Sequence, residues 1–159
     1  TNIVVGSSGT AFQTSSSSFV GFGTATPRSK VDIDGRLRVK SMHENVQDIS
    51  ISSGNVNIDL DHGQTFNILV TEAISQFTVL NPPDEATSFT IKLTQNATGY
   101  SVGIDTFKTS AGAALTVYWP GGGVLPVVTQ TANKTDIYSF KSIDGCSSLF
   151  GIVGGQNFA

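Results

Sequence analysis

Residue types that support several common functions are scarce in this chain of 159 residues. Its single cysteine, Cys146, excludes an internal disulfide and a cysteine-based zinc site. Charged residues make up 13% of the chain and only nine residues are basic, which argues against a nucleic-acid-binding groove. No apolar run approaches the roughly 18 residues that a membrane helix needs, so we expect no membrane insertion.

The abundant residues are small, uncharged or apolar. Serine and threonine together account for 37 residues and glycine for 17, while 38% of the chain is hydrophobic. This hydrophobic share and a net charge of −3 are unlike those of a disordered chain, and the composition is not that of a coiled coil. We therefore expect a folded protein that is rich in β-structure.

Charged residues are distributed unevenly along the chain. Residues 1–27 carry none; residues 28–40 carry five basic and two acidic residues, a net charge of +3; residues 41–159 carry four basic and ten acidic residues, a net charge of −6. The basic side chains of 28–40 are interleaved with Asp32 and Asp34, which favours charge pairing between strands or chains over a phosphate-binding strip. The changes in composition predict an extended stem or linker over residues 1–45 and a globular domain over residues 46–159.

Short segments of alternating polar and apolar residues recur through the second part. The clearest is 88–94, where Phe89, Ile91 and Leu93 alternate with polar side chains, as in a strand with one buried face. Turn-forming residues such as Asn81-Pro82-Pro83-Asp84 separate these segments. The pattern predicts an all-β fold, an antiparallel, jelly-roll-like β-sandwich of about seven strands. The predicted strands cover residues 55–60, 65–70, 76–80, 88–94, 115–119, 135–142 and 148–153.

The first part has a different character. Two β-prone runs, Ile3-Val4-Val5 and 19–23, lie among serines and glycines that cannot form a core alone. Composition leaves two interpretations open. The segment is a flexible linker, or its strands need neighbouring chains to bury their apolar side chains.

Residues 20–39 contain a motif that is more specific than composition. Their sequence, VGFGTATPRSKVDIDGRLRV, resembles the segment V-G-I-G-T-x-x-P-x-x-K-L-D-V-x-G-x-x-R-V of bacteriophage tail fibres and related virion appendages. In that family the segment commonly lies in a trimeric stem or at its junction with a globular head. Within the segment, Asp34-Gly35 also predicts a tight hairpin.

A second resemblance covers residues 55–158. An ordered set of short motifs is similar to a small β-domain of phage structural proteins; it includes Asn57-Ile58-Asp59-Leu60, 77–83, 89–95, 117–122 and 154–158. The two resemblances imply a structural component of a bacteriophage virion, a tail fibre or fibre-like appendage that forms a homotrimer. They also imply a location on the particle surface and contacts with other virion proteins.

On this interpretation the apolar residues of the stem are buried between three chains. The predicted interchain residues are Val4, Phe19, Phe22, Val31, Ile33 and Leu37. Two alternatives remain: a capsid decoration or head fibre, and a module that recognises host surface polysaccharide. Exposed aromatic rings next to a glycine-rich loop would stack on sugars, although packing in the core or between subunits is the more common role of such rings. The candidate glycan contacts are Tyr118, Trp119, Gly121 and Gly122.

No constellation of catalytic residues is evident. His43 and His62 are the only histidines, and no G-x-S-x-G nucleophile motif accompanies them. The acid pairs Asp59/Asp61 and 84–85 flank turns, which indicates solvated turn residues rather than the paired carboxylates of a glycosidase. We expect no enzymatic activity, no metal site and no cofactor.

Overall fold

The structure, a computed structural model, describes residues 13–14 and 19–159. The chain divides into two units, Thr1–Met42 and His43–Ala159. Among the described residues, no helix combines the length and the apolar character that crossing a membrane requires.

The described part of the first unit is a three-stranded sheet of very short strands. They are β1 (Gln13–Thr14), β2 (Val20–Phe22) and β3 (Val31–Ile33). β1 pairs antiparallel with β2, whereas β2 pairs parallel with β3 and places Val20 beside Val31. No further strand follows β3 in the described part of this unit, so the hairpin predicted at Asp34-Gly35 is wrong. The Asp34 amide instead donates to the carbonyl of Phe22 at 2.9 Å, which extends the parallel pairing.

The described second unit contains nine strands. They are β4 (Val46–Ile49), β5 (Asn55–Asp59), β6 (Thr65–Val70), β7 (Gln76–Leu80), β8 (Thr87–Gln95), β9 (Phe107–Thr109), β10 (Ala114–Tyr118), β11 (Thr135–Ser142) and β12 (Ser148–Phe158). Their hydrogen-bonded order is β4-β6-β8-β11-β12-β10-β9-β7-β5. The predicted all-β class is confirmed, and each of the seven predicted strands has a counterpart.

Strand pairing in this sheet is mixed, so the prediction of a purely antiparallel arrangement is wrong. β4, β6 and β8 pair parallel on one flank, and β5, β7 and β9 pair parallel on the other. β10 and β12 are also parallel, whereas the β8–β11, β11–β12 and β9–β10 pairs are antiparallel. From β4 to β9 the chain alternates between the flanks, so each return to a flank repeats the strand direction. Alternating hydrophobicity indicates the buried face of a strand but not the direction of its neighbour.

Aromatic residues from both flanks belong to one hydrophobic core. Phe107 of β9 stacks on Phe77 of β7 with ring centroids 4.9 Å apart. It also contacts Phe89 of β8 at 6.4 Å and Phe140 of β11 at 4.8 Å, so residues from both flanks share one core. All four rings are fully buried or nearly so. Because burying one phenylalanine contributes roughly 1.5–3 kcal/mol, this cluster is a main source of stability in the unit.

Candidate functional site

Three of the six predicted interchain residues are not exposed apolar residues of the described stem. Val4 lies outside the described residues. Phe19 and Ile33 are half-buried. The Nζ of Lys30 lies 5.1 Å from the centroid of the Phe19 ring, a cation–π contact within the same chain. Phe19 is therefore positioned at least partly by its own unit.

The other three predicted interchain residues are exposed. Phe22, Val31 and Leu37 are exposed, and so are Val39 and Met42, which follow them along the chain. Within residues 19–42 no apolar side chain is buried, because every buried apolar side chain of the described chain lies in the second unit. The described part of the first unit therefore has no hydrophobic core of its own.

One of the charge pairs expected in residues 28–40 forms within the chain. The Nε of Arg28 lies 3.6 Å from Oδ2 of Asp32, and the backbone amide of Arg28 donates to the same oxygen at 2.9 Å. The two residues are four apart in sequence, so this pair is local rather than a link between strands. Because the arginine side chain is largely solvated, the ion pair itself contributes only about 0–1 kcal/mol.

Tyr118 is the predicted glycan contact whose ring is accessible. It is 53% exposed and stacks on Phe150, with centroids 5.4 Å apart and an angle of 28° between the ring planes. The parallel pairing of β10 and β12 places the two residues side by side. Gly121 and Gly122 lie in the exposed turn that follows, with φ angles of +71° and +81°.

Trp119 does not present its ring to solvent, so the prediction that it stacks on sugars is wrong. The residue is only 8% exposed, and its indole makes edge contacts with Tyr138 at 6.1 Å and Phe140 at 5.8 Å. Its position after β10 continues the alternation of that strand, which turns the side chain towards the core. Its Nε1 has no hydrogen-bond partner among the described residues.

Besides Tyr118, several exposed apolar residues of β12 and of the segment after β10 were not predicted from the sequence. Phe150 and Ile152 of β12 are both exposed, and Val124 and Val127 of the segment after the glycine turn are exposed as well. The sequence placed a strand at 148–153, but either of its faces could have been the buried one. The register with β10 and β11 decides that Phe150 and Ile152 face outwards.

A buried carboxylate organises the surface near the end of β12. Asp136 is 1% exposed, and its Oδ2 accepts hydrogen bonds from the Thr129 amide at 2.7 Å, the Tyr138 hydroxyl at 3.1 Å and Gln156 Nε2 at 3.2 Å. Its Oδ1 accepts from the Asn157 amide at 2.8 Å. These contacts fasten the segment containing Thr129 to β11 and β12.

The protonation of this network follows from its contacts. Burial alone would raise the pKa of the Asp136 carboxyl, but hydrogen bonds from Thr129, Asn157 and Gln156 outweigh it, so the pKa lies below its ordinary value of 3.8. Burial and the negative charge of Asp136 raise the pKa of Tyr138. The carboxylate therefore stays ionised and the phenol stays protonated at neutral pH.

A buried amide fastens the same segment from another strand. Gln95, at the end of β8, is 2% exposed, and its Nε2 donates to the carbonyls of Tyr100 and Thr129, both at 2.8 Å. Its Oε1 accepts from the Tyr100 amide at 2.8 Å. A sequence signal existed for Gln95, because it continues the inward alternation of Phe89, Ile91 and Leu93.

The segment that these side chains hold borders an open groove. The groove has a volume of about 390 Å³ and is lined by residues 127–131 and Asn157. No residue of this lining was among the predicted site residues. The segment lies between two predicted strands and shows no periodicity, so no local pattern marked it.

The residues considered for chemistry do not converge. His62 lies in an exposed turn with its Nδ1 3.5 Å from Oδ2 of Asp59, whose pKa is lowered chiefly by the hydrogen bond from Asn81. Cys146 is buried, and burial raises the pKa of its thiol. No group of three histidine, cysteine or acidic residues placed to hold a metal ion occurs in 13–14 and 19–159.

Comparison with known proteins adds no relative. No protein-family model matches the chain, no curated protein matches its sequence, and no solved structure matches it.

Proposed function

We propose that the chain is a structural component of a bacteriophage virion, a domain of a tail fibre or fibre-like appendage that assembles as a homotrimer. The observation that carries this proposal is the exposure of four apolar side chains of the first unit, Val31, Leu37, Val39 and Met42. Three of them, Val31, Leu37 and Val39, lie within the motif at 20–39 that resembles the stem of phage fibres. The proposed location is the surface of the virion, with other virion proteins as further partners.

The physical basis is that these side chains are not buried within the described part of the first unit. A sheet of strands of two or three residues is not expected to be stable alone. Val31 is 56% exposed and Leu37 is 64% exposed. Each such side chain gains roughly 1.5–3 kcal/mol when an interface buries it completely. Three copies around one axis provide that cover and close the assembly.

We further propose that the second unit is a β-sandwich. The contacts of Phe107 with Phe89 and Phe140 support two stacked layers over a common core. Five of its eight strand pairs are parallel, so its strand order is not that of an antiparallel jelly roll.

Light scattering of the purified chain tests the assembly. We expect a mass of about 50 kDa, three times the 16.6 kDa of one chain. The variants Val31→Asp and Leu37→Asp place a charge in the proposed interface and should reduce the mass to that of one chain. Val46→Asp is the matched control, because Val46 is also 56% exposed but lies in the second unit, and it should leave the mass unchanged.

A single-chain mass for the unmodified protein at every concentration would overturn the homotrimer. With that result, a monomeric decoration protein would be the better interpretation. Immunogold labelling of phage particles tests the location separately, and labelled fibres or appendages are the expected result. Particles that carry no label would contradict the proposed place in the virion.

A second function, recognition of host surface glycan, is favoured by one observation. Tyr118 presents an exposed ring, held by its stacking on Phe150, next to the turn that contains Gly121 and Gly122. A glycan array probed with the wild type and with Tyr118→Ala tests it, with Phe158→Ala as a control that removes another exposed ring. Binding lost only in Tyr118→Ala would support this function, and absence of binding by the wild type would exclude it for the array tested.

A further inference from the structure

We propose that residues 36–40 of one copy of the chain add as a strand to the open side of β4 in a second copy. This contact rests on the proposed homotrimer and links its copies. We refer to residues 36–40 as the basic segment, and to the side of residues 44–48 that faces away from β6 as the acidic edge. A head-to-tail contact of this kind forms a ring of three chains when its rotation closes.

β4 lies at one end of the sheet. It is the first strand in the hydrogen-bonded order and pairs only with β6 among the described residues. In a parallel ladder, the main-chain groups of successive residues point alternately towards the partner strand and away from it. Every second residue of β4 therefore directs its N–H and C=O towards the open side, where another strand can pair with them.

The pairing on the far side of β6 identifies these residues. The Thr90 amide of β8 donates to the Gln64 carbonyl at 2.7 Å. Gln64 and the residues an even number of positions from it therefore face β8, whereas Asn67 faces β4. Asn67 is paired with Asp48, and in a parallel ladder it bonds to the two neighbours of that partner. Asp48 and, by alternation, Val46 direct their N–H and C=O to the open side, where these groups have no partner among the described residues.

The opposite end of the sheet is largely closed by its own loops. β5 is the last strand in the order, but the N–H and C=O of Asn55 both bond to Ser52 at 3.0 Å. The carbonyl of Asp59 accepts from the His62 amide at 3.2 Å. β4 is therefore the more open of the two terminal strands in the described sheet.

Two carboxylates are fixed beside the open side of β4. Thr65 Oγ1 donates to Oε2 of Glu44 at 2.9 Å, and Asn67 Nδ2 donates to Oδ1 of Asp48 at 2.7 Å. Because Thr65 and Asn67 are two residues apart on β6, both carboxylates lie on the same face of the sheet. Glu44 and Asp48 are exposed, and neither forms an ion pair within the described residues.

The basic segment has the complementary pattern. Arg36, Arg38 and Lys40 alternate with Leu37 and Val39, which is the period of a strand with one basic and one apolar face. All five residues are exposed, and the structure places none of them in a helix or a strand. The three basic side chains form no ion pair in the described part of the chain. The segment therefore has the sequence of a strand but no strand partner among the described residues.

One alignment matches the charges of the two elements. With Arg38 opposite Val46, the two ends of the basic segment lie opposite Glu44 and Asp48, because both pairs of charged residues are four positions apart. The match holds for either strand direction. Residues that lie directly opposite share a face of the sheet, so the basic side chains lie beside the carboxylates, and unlike charges in this position are stabilising.

Charge identifies a second copy as the occupant. The basic segment carries a net charge of +3, whereas residues 41–159 carry −6. Each chain supplies both complementary elements once, so identical copies satisfy one another head to tail. The contact also covers the open groups of β4 and buries apolar surface of Leu37 and Val39, which are 64% and 53% exposed.

Charge reversal in the full chain tests the contact, with light scattering over a range of concentrations as the measurement. The variants are Glu44→Lys/Asp48→Lys in the acidic edge and Arg36→Glu/Lys40→Glu in the basic segment. Each should raise the concentration needed for assembly about tenfold, because two attractions become repulsions. High salt should reduce this difference from the wild type, because the charges are exposed.

The fourfold variant that combines the two reversals is the decisive one. It places unlike charges opposite one another again and should assemble within about threefold of the wild type. Asp61→Lys/Asp105→Lys is the matched control, because it reverses two exposed acids elsewhere in the second unit, and it should change assembly little. Val46→Asp adds a further acid opposite Arg38 and should not weaken the contact.

Cross-linking tests which chain supplies the segment. Chains carrying Arg38→Cys are co-expressed with tagged chains carrying Val46→Cys and treated with a short bifunctional maleimide. We expect a product that contains one chain of each kind. Asn57→Cys, on the other terminal strand, replaces Val46→Cys in the control and should give little product. The wild type, whose only thiol is the buried Cys146, gives the background.

Three results separate this contact from the homotrimer as a whole. A wild type with the mass of one chain at every concentration would overturn both. A trimer that tolerates both charge reversals as well as the control would overturn the contact and leave the homotrimer standing. A chain with both cysteines that cross-links only within itself would show that the segment pairs with its own β4, which also overturns the contact between copies. If a reversal variant fails to fold, the cross-linking decides alone.

Discussion

The indole of Trp119 lies directly on the main chain of Gly151. A β-carbon placed on Gly151 would be 2.6 Å from Cζ3 and 2.7 Å from Cη2 of that ring. Real β-carbons do not approach other atoms so closely. The absence of a side chain in the middle of β12 is therefore what allows the indole to pack against Tyr138 and Phe140.

Gly151→Ala should destabilise the protein by roughly 1–3 kcal/mol, the usual cost of overpacking a core. Gly154→Ala is the matched control on the same strand, because its β-carbon would lie 3.2 Å from Ile137 Cγ2 and needs a smaller adjustment. Urea unfolding measures both. In a Trp119→Leu background the cost of Gly151→Ala should fall, and an unchanged cost would show that the indole is not the cause.

Asp136→Asn should destabilise the protein by about 1.5–3 kcal/mol at pH 7, because an amide replaces a carboxylate that accepts four hydrogen bonds. The pKa of Asp136 is lowered in the folded state, so its contribution is complete above about pH 4 and is lost as the pH falls through the lowered value. The difference between the wild type and Asp136→Asn should therefore shrink at acidic pH. Urea unfolding at pH 7 and pH 3 checks this, and a difference that is independent of pH would contradict it.

The alternation of polar and apolar residues was sufficient to predict the position of most strands of the second unit. The segment 88–94 predicted β8, and the observed strand turns Phe89, Ile91 and Leu93 inwards as expected. β9 was not predicted, because a strand of three residues is too short to display a period of two. The direction of pairing could not be predicted, because it depends on partners such as Phe77 and Phe107, which lie thirty residues apart in sequence.

The candidate surfaces were harder to predict for the same reason. A glycine-rich turn beside Trp119 suggested exposure, whereas its burial depends on Gly151 in a later strand. The segment 127–129 is held by Gln95, Asp136 and Gln156, which come from three different strands. The interchain role of the stem residues depends on other copies of the chain and stays a prediction.

Cys146 should react slowly with a thiol reagent in the folded protein. It is 2% exposed, and burial together with the charge of Asp144 raises the pKa of its thiol, which lowers the fraction of reactive thiolate. Its reaction with Ellman's reagent should accelerate to the rate of a free thiol in denaturant. Equally rapid reaction under native conditions would show that the loop around Cys146 opens readily.

Gln95→Leu should destabilise the protein by roughly 1–3 kcal/mol, because the replacement leaves the main-chain groups of Tyr100 and the Thr129 carbonyl without their partner. Amide hydrogen exchange in residues 127–131 should also increase, since one of the two attachments of Thr129 is lost. A Gln95→Leu variant with unchanged stability and exchange would show that Gln95 does not hold this segment.

Gln95→Glu tests which hydrogen bonds the Gln95 side chain donates and which it accepts. Its carboxylate would still accept from the Tyr100 amide, but it would face the carbonyls of Tyr100 and Thr129 to which the amide now donates. Burial and these carbonyls should raise the pKa of the new carboxyl above its unfolded value of about 4.3. A raised pKa means that the variant is most stable below the unfolded value and loses stability as the pH rises through the folded one. Urea unfolding at pH 4 and pH 7 should therefore show Gln95→Glu gaining on Gln95→Leu at the lower pH, and the opposite order would refute the assigned orientation of the Gln95 amide.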